Sequence, residues 1–212
     1  MEITWYGHAC FRIRESGVTI VTDPYSKEIG LAMPRIRADV LTISHAHEGH
    51  NCTTGFRGSP RVLACPGEYE IGGVFITGVP TFHDAEQGEA RGQNTAFLYD
   101  FDGLTVCHLG DLGHVLSRNQ LELLDGVNVL LIPVGGHATL NAAQAAEVVG
   151  LLEPNLVIPM HYQTAGLSRE LDPVSRFLRA MGAGRTSAQE QLKVGANTLP
   201  EETQVVLLEC RQ

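Results

Sequence analysis

The sequence predicts an α/β domain built mostly of strands, and three observations predict it. Short β-branched apolar runs fill the first two thirds of the chain, helix signals gather late, and strand candidates repeatedly finish on a histidine or an aspartate. The runs follow one another as "VTIVTD" (18–23), "DVLTISH" (39–45), "RVLACP" (61–66), "GVFITGVPTFHD" (73–84), "NTAFLYD" (94–100), "LTVCHLGD" (104–111), "VNVLLIPVGGH" (127–137) and "LVIPMHY" (156–162). Asp102-Gly103, between the fifth and sixth runs, is a short hairpin signal. Among the helices, "SRNQLELL" opens with Ser117 and Gln120 in capping-box spacing, and "LNAAQAAEVVGLLEP" is alanine-rich and stops at Pro154. "LDPVSRFLRAMG" offers Asp172 as N-cap, Pro173 as first helical residue and Gly182 beyond the end. No Pro/Gly/Ser-rich linker, low-complexity tract or short repeat divides the chain, so residues 1–212 are expected to form a single domain.

Composition narrows the function. At 212 residues, 43% hydrophobic and 18% charged, the chain can bury a sizeable core. A formal net charge of -9 repels nucleic acid and anionic lipid on average. Polyanions are therefore not the default partner: no nucleic acid or membrane partner is expected, and self-association into a homo-oligomer is left open. The five cysteines, at positions 10, 52, 65, 107 and 210, are odd in number and never form Cys-x-x-Cys, which suggests free thiols in a reducing compartment. "MEITWYGHACFRIRE" lacks an apolar leader core, and no run of 18 apolar residues occurs, so a cytoplasmic protein is expected.

Strand ends carry the chemistry. Six candidates finish in or next to Asp23, His45 with His47 and His50, His83, His108 with Asp111, His137, and His161. Side chains at the same ends of several strands converge in a packed sheet although far apart in sequence. In "SHAHEGHN", an extended His45-Ala46-His47 points both imidazoles to one side, and His50 can swing back toward them. Neutral imidazoles suit Zn, Fe, Ni or Cu, and not Ca or Mg.

"SHAHEGHN" resembles the His-x-His-x-Asp-His signature of the metallo-β-lactamase-fold hydrolases. "WYGHACFRI", "VTDP", "FHD", "CHLGD", "LIPVGG" and "IPMHY" resemble, in order, the branch that includes L-ascorbate-6-phosphate lactonase and many uncharacterised bacterial hydrolases. The resemblance runs from Trp5 to about Leu208. It implies an αββα sandwich: two mixed β-sheets facing each other, helices on the outer faces, and metals at one edge. It further implies that His45, His47 and His83 hold a first metal and that His50 and His161 hold a second, with Asp111 bridging. Asp23 would accept a ligand's other N–H, unless it only marks an Asp-Pro turn. The implied cofactor is zinc, one or two ions, with Mn, Fe or Ni as alternatives.

Gly49 breaks the pattern. The family has Asp there, a ligand of the second metal, so that site drops to His50, Asp111 and His161 and is expected to weaken. Gly49→Asp is expected to strengthen it, provided the backbone needs no positive φ. Glu48 should point away, and Glu68 and Glu70 in "PGEYEIGG" are candidate replacements or simply solvated loop acids. His8 lies near the site or is a hydrogen-bonded structural histidine. His137 is placed to reach substrate, Gly135 and Gly136 permitting close backbone approach. His108 is expected to face the other layer and His114 to sit on a loop. No Gly-x-Ser-x-Gly elbow and no Gly-x-x-x-x-Gly-Lys is present.

The resulting expectation is a metal-dependent hydrolase of a small ester, lactone or phosphoester, with catalysis assigned to Asp111 and Asp23. Its rival is a non-catalytic binding protein with a degenerate second metal site. A nuclease ranks third, because the chain is acidic and has no added RNA-binding domain.

Overall fold

A computed structural model describes all 212 residues. The chain runs β1 (Glu2–Trp5), β2 (Phe11–Glu15), β3 (Val18–Thr22), β4 (Val40–Thr42), β5 (Arg61–Leu63), β6 (Gly67–Ile71), β7 (Val74–Phe82), β8 (Gln93–Asp100) and β9 (Thr105–His108). It continues as α1 (Arg118–Leu123), β10 (Val129–Pro133), α2 (Ala142–Leu152), β11 (Leu156–Met160), α3 (Ser175–Ala180), β12 (Ala188–Gln189), β13 (Leu192–Lys193), β14 (Gln204–Val205) and β15 (Leu207–Leu208). One sheet has the order β13-β1-β2-β3-β4-β5 and the other β14-β11-β10-β9-β8-β7-β6, while β12 and β15 pair separately. Both large sheets are mixed: hairpins pair antiparallel, whereas β3–β4–β5 and β9–β10–β11–β14 pair parallel.

The core lies between the two sheets, because strand alternation sends Ile20 and Val40 to one face and their neighbours Val21 and Leu41 to the other. Ile20 and Val40 join Phe11, Val79, Phe97 and Leu131 in the main cluster of 42 buried residues. Val21 and Leu41 join Tyr6, Tyr25, Leu31 and Leu167 on the outer side. That outer side is covered by a 3-10 turn at Lys27–Ile29 and irregular chain, and α2 buries Ala145, Val148 and Val149 into the main core. Two facing mixed sheets with helices are thus observed, with three short to medium α-helices, all after β9. No helix is long and apolar enough to cross a membrane.

All eight predicted runs contain a strand. Asp102 and Gly103 both take positive φ, 57° and 97°, and turn β8 into β9. Ser117 and Gln120 form the capping box of α1, and Asn141 with Gln144 forms another on α2. Asp172 does not cap α3: the helix begins at Ser175 after Val174, and Asp172 Oδ1 takes the Arg176 guanidinium at 2.5 Å instead. An arginine one turn on competes better for that carboxylate than the backbone N–H groups do. Seven further strands lie outside the predicted runs: β1, β2, β6 and the two-residue β12 to β15; "GEYEI" is paired to β7 rather than being a loop.

Topology decides which strand ends meet. Parallel β3 and β4 pair Thr22 with Thr42, so Asp23 and the 43–50 segment leave the first sheet at one edge. In the second sheet β7 and β9 both run antiparallel to β8, and β9, β10 and β11 are parallel. The ends of these four strands, which precede His83, Asp111, His137 and His161, therefore share an edge. The β1–β2 hairpin delivers His8 from a tight turn in which Gly7 and His8 have φ of 97° and 51°.

Candidate metal centre

Asp111 stands in a ring of histidines. Its Oδ2 lies 3.1 Å from His50 Nε2, 3.2 Å from His161 Nε2, 3.4 Å from His83 Nε2 and 3.7 Å from His45 Nε2. The His47 ring centroid is 4.5 Å from that of His45 and 5.1 Å from that of His83. One ring nitrogen from each of His45, His47 and His83 lies within 4.8 Å of the others, and the same holds for His8, His50 and His161. All these groups except the exposed His47 are buried.

Proton accounting shows what the ring lacks. Ser44 Oγ donates to Asp23 Oδ2 at 2.5 Å, so at 2.9 Å it accepts the His45 Nδ1–H. His50 Nδ1–H donates to Asp23 Oδ2 at 2.9 Å, and His83 Nδ1–H to the Ala138 carbonyl at 3.1 Å. As neutral rings, these three histidines turn Nε2 lone pairs toward a carboxylate oxygen that is also an acceptor. Acceptors facing acceptors repel unless a cation lies among them. His45 Nε2, His161 Nε2 and Asp111 Oδ1 are buried with no hydrogen-bond partner. Nitrogens sharing one tetrahedral zinc stand roughly 3.3 Å apart, given Zn–N of about 2.05 Å. Asp111 Oδ2 stands 3.1 to 3.7 Å from four imidazole nitrogens, close to that spacing, so the residues fit a metal.

Without metal, a proton must supply the positive charge. Burial opposes charging His50, but the Asp111 and Asp23 carboxylates outweigh it and raise His50 to about 10. Burial also opposes ionising Asp111, yet His161 and His50 hold its carboxyl well below the usual range. Burial pushes His45 down to about 3 and lowers His8, His47, His83 and His108.

These shifts predict the acid sensitivity of chelator-treated protein. Between pH 6.5 and about 3 an unfolded histidine binds a proton that folded His45 refuses, so stability falls as pH drops through that window. The depressed Asp23 and Asp111 contribute stability above 3.8 that is lost as pH falls through their folded values. His50 acts oppositely, its contribution being complete below pH 6.5 and lost by about 10. The melting temperature of metal-free protein should therefore fall from pH 6.5 to 4 and fall again on the alkaline side; a flat acid limb would contradict this charge assignment.

Backbone strain collects at the same edge. Of eight non-glycine residues with positive φ, four are His8, Asp23, His137 and His161. Such conformations persist where surrounding structure over-determines them, and they concentrate at functional sites.

A cleft of about 520 Å³ opens over the ring, lined among others by His47, His83, Asp111, His161, Glu48, His137, Arg91 and Arg169. Neither arginine makes an ion pair, so two free guanidinium groups line this cleft of an acidic protein. Asp84 shapes the approach: its carboxylate accepts N–H groups from Glu86, Gly88, Ala90 and Arg91 at 2.7 to 3.1 Å and so folds the loop that carries Arg91.

The sequence-predicted residues divide clearly. Asp23, His45, His47, His50, His83, Asp111 and His161 come together, with His8 against them. His137 and Glu48 reach the cleft wall. Glu68 does not join: exposed on β6 and paired with Thr77, it is five residues, about 17 Å of strand, before Phe82. Glu70 is exposed on the same strand. His108 faces the other layer, its Nε2 2.8 Å from the Ala9 carbonyl, and His114 on its loop accepts from Phe82 N. Gly135 permits a close approach, but to the His161 carbonyl rather than to substrate. The sequence reading missed Ser44, Asp84, Arg91, Arg169 and Asn94, which fixes Asp111 by accepting its N–H at 2.9 Å. Only Asp84, beside His83 in "FHD", carried a local signal.

The Beta-lactamase superfamily domain matches residues 2–161 of this chain. The chain belongs to that superfamily. A UPF0173 metal-dependent hydrolase of Pyrococcus abyssi is 32% identical over 77% of this chain and 85% of its own length. A second, from Carboxydothermus hydrogenoformans, is 29% identical with the same coverage. Among solved structures, a chain from Thermotoga maritima assigned to the metallo-β-lactamase superfamily is 41% identical, with a TM-score of 0.81 over 98% of this chain and 97% of that one. The β-lactamase-superfamily fold accordingly accounts for the two mixed sheets.

Proposed function

We propose that this β-lactamase-superfamily chain is a metal-dependent hydrolase that cleaves a small ester, lactone or phosphoester carrying an anionic group. The observation that carries the reading is the ring itself: buried imidazole nitrogens and the Asp111 carboxylate converge with no lysine or arginine paired to that carboxylate. His45, His47 and His83 would hold one ion, with His50, Asp111 and His161 beside it. The all-nitrogen first set favours zinc, with Fe, Ni or Mn as alternatives. Bound there, such an ion supplies an acidified water and a Lewis acid for the scissile carbonyl or phosphoryl oxygen.

The chain's own residues do the rest. Asp111, which reaches the cleft and leaves Oδ1 unpartnered, orients the attacking water. Asp23 fixes the tautomer of His50 directly and that of His45 through Ser44. Arg91 and Arg169 offer planar guanidinium groups to a substrate carboxylate or phosphate. The names of the Pyrococcus and Carboxydothermus relatives support hydrolysis, and five free thiols support a cytoplasmic setting for one catalytic unit spanning residues 1–212.

Zinc-loaded protein assayed on lactones, thioesters and phosphoesters, each with and without an anionic group, tests the proposal. Anionic members should turn over preferentially, and Arg91→Ala with Arg169→Ala should raise KM for them about tenfold or more while leaving neutral ones unaffected. Inertness of the loaded protein across the panel would remove the hydrolase reading; equal loss on neutral substrates would remove the anionic one.

A further inference from the structure

We propose that His8 replaces the carboxylate missing at Gly49, so that His8, His50 and His161 form a three-imidazole site for a second ion beside Asp111. Space is the first argument. A Cβ built on Gly49 would stand 2.9 Å from His8 Nε2 and 3.3 Å from its Cδ2. Gly49 is not among the glycines with positive φ, so the backbone does not require glycine there. Glycine leaves room for the His8 ring, which occupies the volume that a side chain at position 49 would enter.

Donor geometry is the second argument. His8 Nε2 lies 3.1 Å from His50 Nε2, and the His8 ring centroid is 4.2 Å from that of His161. A histidine kept for structure is usually held by backbone or carboxylate groups. His8 has neither: its ring makes one polar contact, to the nitrogen of another candidate ligand, and Nδ1 is buried without a partner. His161 beside it leaves both ring nitrogens unpartnered.

The backbone is built to hold His8 in place. Its φ of 51° is uncommon outside glycine. Its carbonyl accepts from Trp5 Nε1 and from the His161 backbone N–H, each at 3.0 Å, which ties one ligand's main chain to the other's. Exchanging a carboxylate for an imidazole makes the site softer and one unit less negative. It therefore selects Zn(II) or Co(II) over Mn(II), which prefers oxygen donors.

This inference rests on the metal-binding part of the proposed function and not on hydrolysis. The expectation that Gly49→Asp strengthens the second site is revised accordingly, because a side chain there collides with His8.

The test counts ions per chain by mass spectrometry after full-length protein is chelated, reloaded with Zn(II) and dialysed. Thermal melts of the same samples check folding. The proteins are wild type, His8→Asn, Gly49→Asp and the double variant; asparagine tolerates the left-handed backbone. Wild type should retain two ions and His8→Asn one. Gly49→Asp should retain fewer than two and melt lower than wild type. The double variant should regain two and take Mn(II) more readily than wild type. Two ions retained by His8→Asn, or one by wild type, would overturn the role of His8 while leaving the first site intact. No ion in any protein would overturn the metal reading itself. Should the His8 variants not fold, wild type offered equimolar Zn(II) and Mn(II) decides: a second equivalent filled by Mn(II) overturns the proposal.

Discussion

Asp111→Ala is expected to abolish hydrolysis and strip the chain of most of its metal. Asp111 is the one anionic group whose oxygen faces four imidazoles, at 3.1 to 3.7 Å, and it sits between the two histidine triads. Removing it deletes the shared ligand and the negative charge that offsets the dications. The loss should exceed the roughly 10- to 100-fold typical of groups that only orient a ligand. Asp111→Asn separates charge from shape, since an amide fills nearly the same volume without the charge. In the metal-free state both variants should also lower the pKa of His50, because its elevation to about 10 owes most of its favourable part to Asp111. Metal analysis after dialysis, turnover on the best substrate and NMR titration of His50 provide the check. Wild-type metal retention in Asp111→Asn would show that the carboxylate is not a ligand.

His45→Ala and His83→Ala should each eliminate the first ion and, with it, turnover. His45, His47 and His83 offer only three nitrogens, so either change leaves two ligands where a catalytic zinc needs three. The two variants should differ in stability. His83 also anchors the end of β7 through the Ala138 carbonyl, whereas His45 is tied only to the adjacent Ser44. His83→Ala should therefore melt lower when both are metal-free, by a margin of about 1 kcal/mol for the lost hydrogen bond. Under the His8 proposal each variant keeps one ion, held by the other triad. Wild-type zinc and turnover in either variant would show that the ligand assignment is wrong.

Much of this fold is legible in the sequence where burial is complete. β3, β10 and β11 are buried at all five of their residues; β10 and β11 are the continuous apolar runs that two-sided burial demands, and β3 is β-branched throughout. β2 and β6 are harder, since "FRIRE" and "GEYEI" place charged side chains on alternate positions and are too short to separate from loops. β1 is only four residues long. Asp172 carries a helix-cap signature, and it is Arg176 that diverts it.

The site follows the same logic. Histidines and aspartates stand out because each follows an apolar run, and parallel registers bring those run ends together. Arg91 and Arg169 give no signal, because an exposed arginine in a loop looks like any solvated charge until the cleft is in view. The pairing of Gly49 with His8 is invisible for another reason: each stands out only on its own, and only the turn between β1 and β2 puts the ring where the glycine leaves room.

Turnover of chelated protein during stepwise addition of Zn(II) tests the central claim most directly. If the histidine–aspartate ring is a hydrolytic metal centre, the metal-free chain is inert, activity rises with added ion and it saturates at stoichiometric metal. Full activity in the chelated protein, or metal that binds stoichiometrically with no hydrolysis of any substrate on the panel, would contradict the account.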